Sequence, residues 1–140
     1  MPADLHVYLP RARMLAPEQW AAAIIDAGFE AGLDPDFDVD TYHGFLSCSY
    51  KGEPAGFEYD ADHLTDNDRE ALALPDKYDF VVSFITDSDM REFITSLIAS
   101  VVLCSQTDGL FFDPQNGKRI GARLVLQMLK SRVADCEKEM

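Results

Sequence analysis

The chain has 140 residues, and its 12 Lys and Arg stand against 25 Asp and Glu, a formal net charge of −13, with 47% hydrophobic and 26% charged residues. That length fits one domain spanning 1–140, and nine Phe, five Tyr and one Trp supply apolar bulk for one buried core, which argues against disorder. So negative a chain repels nucleic acid and anionic membrane surfaces across a Debye length of about 8 Å, and a cationic partner is its natural complement.

Leu5, Val7 and Leu9 alternate with His6 and Tyr8, the period of a half-buried strand, which Pro10 ends. Pro17 suits a first helical position, and Trp20, Ala23, Ile24 and Ala27 follow at spacings of three and four until Gly28, so an amphipathic helix is expected. Two aromatic stretches, Tyr42 to Leu46 and Phe57 to Tyr59, flank Lys51-Gly52-Glu53-Pro54 and read as strand, turn, strand. Asp62 to Leu74 is polar and acidic, with room for one or two helical turns. Phe80 to Ile85 is a continuous β-branched and aromatic run that suits a central strand.

Asp89 and Glu92 have the spacing of a capping box, and Met90, Phe93, Ile94, Leu97, Ile98, Val101 and Val102 recur at helical period behind them. Leu110 to Phe112 reads as a short strand closed by a turn over Asp113 to Gly117, whose Asn-Gly suits positive φ. Leu124, Val125, Met128, Leu129 and Val133 define a last helix. The expected fold is α+β: a mostly antiparallel sheet of four to five strands packed against two long helices and one shorter N-terminal helix, because the middle strands are joined by turns too short for crossovers.

Cys48, Cys104 and Cys136 form no CxxC pair, and a sparse, odd count fits reduced thiols in a cytoplasmic protein. The opening MPADLHVYLPRAR has the pattern of neither an export signal nor a transit peptide. The apolar run from Phe93 to Cys104 is broken by Thr95, Ser96 and Ser100 and falls short of the roughly 20 residues a bilayer requires.

Charge is uneven: residues 14–68 hold one base, Lys51, against thirteen acids. Asp34, Asp36, Asp38 and Asp40 alternate strictly, and at strand period all four project from one side. An EF-hand loop starting at Asp34 needs Gly at 39 and Glu at 45, where this chain has Val39 and Phe45. A solvated loop or an acidic docking edge fits better, since a cationic partner relieves the mutual repulsion. The second acidic run is Glu58, Asp60, Asp62, Asp66, Asp68 and Glu70. A carboxylate pair drawn from Asp36, Asp38, Glu58, Asp60 and Asp62 could serve acid and base chemistry, though no spacing is diagnostic. His6, His43 and His63 form no HxH or HExxH. There is no GxSxG elbow and no phosphate-cradling glycine motif, so Cys48 reads as a small buried residue. Tyr42, Phe45, Tyr50, Phe57 and Tyr59 are interleaved with acids, and on a hairpin Phe57 and Tyr59 lie opposite Glu58 and Asp60.

The pieces Gly44-Phe45-Leu46-Ser47-Cys48, Gly56-Phe57-Glu58-Tyr59 and Thr107 through Gly117 resemble those of small acidic bacterial proteins of the toxin-immunity kind, encoded beside secreted antibacterial toxins. The resemblance spans residues 44–117. It implies a cytoplasmic, non-enzymatic inhibitor that binds a cognate toxin; the acidic first half of the chain leads us to expect a basic surface on that toxin, and the motifs give no metal or cofactor site. The expected partner-binding residues are Asp34, Asp36, Asp38, Asp40, Tyr42, Glu58, Tyr59, Asp60 and Asp62. The alternatives are a small carboxylate-dependent enzyme and a structural or adaptor subunit assembling through its aromatic hairpin; a homo-oligomer is compatible with each.

Overall fold

A computed structural model describes residues 3–140. Seven antiparallel strands form one sheet: β1 (Ala3–Leu9), β2 (Ala31–Leu33), β3 (Gly44–Tyr50), β4 (Glu53–His63), β5 (Phe80–Thr86), β6 (Leu110–Asp113) and β7 (Lys118–Gly121), in the order β2-β3-β4-β5-β1-β6-β7. Among the described residues the α-helices are α1 (Pro17–Asp26), α2 (Asp66–Leu72), α3 (Met90–Gln106) and α4 (Ala122–Glu137), with a short 3-10 turn at Arg11–Arg13. The α+β class and the antiparallel sheet hold, but the sheet exceeds the expected four to five strands. β2 has three residues, too few for alternation to register, and β7 is an edge strand of mostly exposed residues with no apolar pattern to mark it. α2 is a fourth helix, fixed by Thr65, whose hydroxyl accepts from the Asp68 N–H while the Asp68 carboxylate accepts from the Thr65 N–H, a reciprocal cap.

Pro17 opens α1, and Trp20 and Ile24 are its buried residues. α3 lies across β1, β4 and β5 and touches α1 and α4 on its other sides, so all of Ile94 through Cys104 is buried. Its hydroxyls do not need outside partners: Thr95, Ser96, Ser100 and Thr107 donate to the carbonyls of Arg91, Phe93, Leu97 and Leu103, one turn back along the helix. Asp89 caps it by accepting from the Glu92 N–H at 3.1 Å. On α4, Val125, Leu129 and Val133 face the core, whereas Leu124, expected on the apolar face, is 60% exposed. No helix among the described residues is long and apolar enough to cross a membrane.

The helices α1, α3 and α4 pack on one face of the sheet, and strand period then sorts the residues. Leu5, Val7 and Leu9, Phe80, Val82 and Phe84, and Phe57 and Tyr59 are all buried on that face, and the Trp20 indole meets Phe84 edge-on at 5.8 Å while its Nε1–H donates to the Ala99 carbonyl. The hairpin turn between β3 and β4 is shorter than expected. Lys51 and Gly52 both have positive φ, 51° and 80°, which is a two-residue type I′ turn, so Glu53 and Pro54 already pair with Tyr50 and Ser49.

Gly56 sits opposite Ser47, and a Cβ placed there would lie 2.5 Å from the Leu46 carbonyl oxygen and 2.6 Å from the Phe45 ring. The Phe45 ring lies against this gap. Gly56→Ala is therefore expected to lower unfolding free energy by about 1–3 kcal/mol, measured by denaturant melts; an unchanged midpoint would mean the strand relaxes at no cost.

Candidate functional site

The outward face of the sheet is the candidate site. Register places its residues in rows that cross the strands. One row runs Phe45, Glu58, Ile85, Asp4; the next runs Asp60, Ser83, His6, Phe112, Arg119; a third runs Asp62, Val81, Tyr8, Leu110. The third row is partly roofed. Tyr8, Leu74 and Tyr78 form a small second core with Leu64, Leu72, Val81, Leu110 and Phe112 around it. Arg119 holds that roof down by donating to the carbonyls of Leu72 and Ala73 at 2.5 and 3.4 Å, and Arg69 braces it from within by donating to the Leu64 and Tyr78 carbonyls.

Of the expected partner-binding residues, the structure brings three together here. Glu58, Asp60 and Asp62 occupy alternate positions of β4, all exposed, so their side chains leave the sheet on the same side. His43 joins them by a hydrogen bond to the Asp60 carboxylate. On the same face His6 Nδ1 meets Ser83 Oγ at 2.9 Å, and its ring stacks between Tyr8 and Phe112 with centroids at 6.4 and 6.3 Å. Burial lowers the His6 pKa, with Asp4 and Asp113 opposing the shift, because an apolar setting disfavours the charged imidazolium. Phe45, at 52% exposure, is the large apolar side chain at the border of this surface.

Tyr59 is elsewhere. It is 1% exposed, on the helix-covered face, and its hydroxyl donates to the Val39 carbonyl at 2.5 Å; burial is the main reason its pKa is pushed well above 10. Its ring belongs to the core, so it offers no contact to a partner. Tyr42 is half-buried, donating to the Phe45 carbonyl and packing edge-on against Phe37 at 5.8 Å.

The four alternating aspartates lie in a loop, not a strand, and the one-sided projection expected of them is corrected accordingly. Asp34 accepts from the Asp36 N–H at 3.0 Å, and Asp38 accepts from the N–H groups of Asp40 and Thr41 at 2.8 and 3.2 Å. These are turns in which an Asp side chain satisfies backbone two or three residues on. Phe37 and Val39, between them, point inward, with the Phe37 ring 5.2 Å from Tyr59. Asp40 is held by a two-pronged contact from Arg11, Nε and Nη2 each donating at 2.6 Å. The alternation is thus that of successive turns anchored by core residues. Asp34, Asp36 and Asp38 remain exposed, and Asp40 has a cationic partner within the molecule.

Cys48 and Cys104 have their thiol pKa values pushed up to about 12, chiefly by burial, which makes both poor nucleophiles at neutral pH. Among the described residues no three His, Cys, Asp or Glu side chains converge as metal ligands. His43, His6 and Ser83 were missed as site residues because each is isolated in sequence; only the sheet register, which pairs His6 with Ser83 across 77 positions, places them together. No protein-family model, curated protein or solved structure matches the chain.

The Arg11 guanidinium holds the Asp40 carboxyl below its ordinary 3.8. A carboxylate depressed in the folded state adds stability above the unfolded pKa and loses it as pH falls through the folded value. Wild type is therefore expected to exceed Asp40→Asn in stability at neutral pH by about 1 kcal/mol or less, since the pair is about a third exposed and screened. That gap closes below pH 3.8. Urea melts of both proteins across this range check it; a gap independent of pH would assign the effect to loop packing.

Proposed function

We propose that this protein is a non-enzymatic binding protein, an immunity-type inhibitor that neutralises a cognate toxin by docking the acidic outer face of its sheet on a basic toxin surface. The observation that carries this reading is the row of Glu58, Asp60 and Asp62 on the unroofed side of β4, with Phe45 and Ile85 beside it. A partly apolar surface edged by like charges combines anchoring area with long-range steering. The face is built on strands, so the carboxylates are held in fixed relation to one another, whereas the aspartates of the 34–40 loop are spread over turns. Toxins that act on nucleic acid or nucleotides are basic where they hold phosphate, and a rigid row of carboxylates imitates that substrate. Glu58, Asp60 and Asp62 form the docking line, Asp36 and Asp38 lie at its periphery, and Tyr59 belongs to the core.

The test is coexpression with a secreted toxin encoded beside the gene. The wild-type chain is expected to protect the cell, and the Glu58→Gln, Asp60→Asn, Asp62→Asn triple variant to lose protection with its melting temperature unchanged or raised. In vitro, the association rate of wild type is expected to fall several-fold between low and physiological ionic strength, where the Debye length shrinks to about 8 Å, and the triple variant to lose most of that dependence. Protection that survives the triple substitution, or an association rate indifferent to salt, overturns the reading.

A further inference from the structure

The helix-covered side of the molecule carries a furrow. α1 ends before Gly28, whose φ of 92° turns the chain out of the helix, and Phe29 and Glu30 then lead into β2. On α4, Leu126, Lys130, Val133 and Glu137 recur at spacings of four, three and four and so share one flank. Both helices pack on α3, and two hollows are left between residues 27–30 and that flank. One, of about 380 Å³, is lined by Ala27, Phe29, Leu126, Gln127 and Lys130. The other, of about 280 Å³, adjoins it at Phe29 and Lys130 and continues along Glu30, Tyr50, Lys51 and Glu137.

The furrow is apolar along its length and balanced in charge. Leu126 is 40% exposed there, and Phe29 is half-buried. Two acids and two bases, Glu30, Glu137, Lys51 and Lys130, line the second hollow, in a molecule whose net charge is −13. Lys51 and Glu137 pair with each other at 2.6 Å, which leaves Glu30 and Lys130 on opposite walls. Both are exposed, and among the described residues neither is in an ion pair.

A ligand of one sign matches only one of these two charges. The occupant has to bring an acid and a base at the same height, on either side of apolar surface, and a second copy of this chain does so. Half a turn about an axis along the furrow lays α4 of each copy against residues 27–30 of the other, the self-complementary contact that a twofold requires. We propose that the chain forms a twofold dimer through this furrow. Glu30 of each copy meets Lys130 of the other, and Phe29 of each packs on Leu126 of the other. Charge selects this face for self-association, since the outer face would set Glu58, Asp60 and Asp62 of two copies against like charge. The dimer leaves that outer face free, so the inference goes beyond the toxin-docking reading and does not rest on it.

The test is sedimentation equilibrium of the full-length chain at physiological ionic strength, from about 5 μM to about 1 mM, the range in which a small interface of this kind associates. Wild type is expected to pass from monomer to dimer and no further, because a twofold closes. Glu30→Lys and Lys130→Glu are each expected to weaken the dimer about tenfold or more, since each sets like charges in contact twice per dimer. Mixed in equal amounts, the two variants are expected to form a heterodimer, as one brings only acids to the two contacts and the other only bases. The combined variant is expected to regain the wild-type dimer. Leu126→Gln is expected to weaken it about tenfold through lost apolar contact, and all these variants to keep the wild-type melting temperature, as exposed positions do. The Glu58→Gln, Asp60→Asn, Asp62→Asn variant is expected to dimerise at least as well as wild type, having less net charge to repel. A monomer throughout the range overturns the proposal, as does a dimer that both charge reversals leave unchanged, a mixture of the two that fails to pair, or a dimer lost with the three outer-face carboxylates.

Discussion

A sheet whose three longest helices all lie on one side obliges its strands to divide their residues, and the rest of the molecule follows from that division. On β4 the helix-facing positions are Ala55, Phe57, Tyr59 and Ala61, and the outward ones include Glu58, Asp60 and Asp62. A slip of one residue would bring the three carboxylates beneath α3, where unpaired charges cost several kcal/mol each. The register is held at the hairpin tip. The Lys51-Gly52 turn sets the pairing with β3, and Lys51 then ties the hairpin tip to the far end of α4 through Glu137 at 2.6 Å.

Most polar side chains that the fold takes inside find partners within it; among the described residues the Thr86 hydroxyl and Arg69 Nε do not. Tyr59 and Trp20 each donate to a backbone carbonyl, and Asp113, 3% exposed, accepts from Arg132 at 2.9 Å while also accepting from the Gln115 N–H of its own turn. Such internal satisfaction keeps these groups from depending on solvent. It also explains how a chain of this charge holds together: some acids cap turns and helices, as Asp34, Asp38, Asp68 and Asp89 do, some pair with a base, as Asp40, Asp113 and Glu137 do, and Glu58, Asp60 and Asp62 stand exposed on the outer face. The roof formed by residues 64–78 leaves part of that face bare, and its own attachment relies on two arginines, Arg69 and Arg119.

The sequence made the long elements legible and the geometry of the acids only half so. Apolar alternation in Leu5-Val7-Leu9, the capping pair Asp89 and Glu92, and the helical stripe behind it are strong local signals, and they matched β1 and α3. β2 and β7 carry no such signal, because a three-residue strand and an edge strand of mostly exposed residues take their conformation from their neighbours. The alternation of Asp34 to Asp40 misled for an instructive reason. Period two is the mark of a strand, yet a chain of turns whose odd residues are anchored in a core repeats at the same interval, and only Phe37 and Val39 packing against Tyr59 distinguish the two. Parity correctly put Glu58 and Asp60 opposite Phe57 and Tyr59. Sequence could not say that His6 and Ser83 would meet, since register across the sheet is decided by tertiary pairing.

Pro54 bears on how this molecule behaves in company. β5 pairs with β4 only from Glu58 to His63, so Glu53–Phe57 have no strand on that side, and of these Glu53 and Pro54 are exposed; an uncovered strand edge is a template for any extended chain, including another copy of the same protein. Pro54 lies within that stretch, and a proline has no N–H to contribute to a growing ladder. Two copies meeting there would also bring together their own Glu53 and Glu58, like charge against like. Crowding in a cell thus acts on a surface guarded twice against its own kind, by a missing backbone donor and by shared sign.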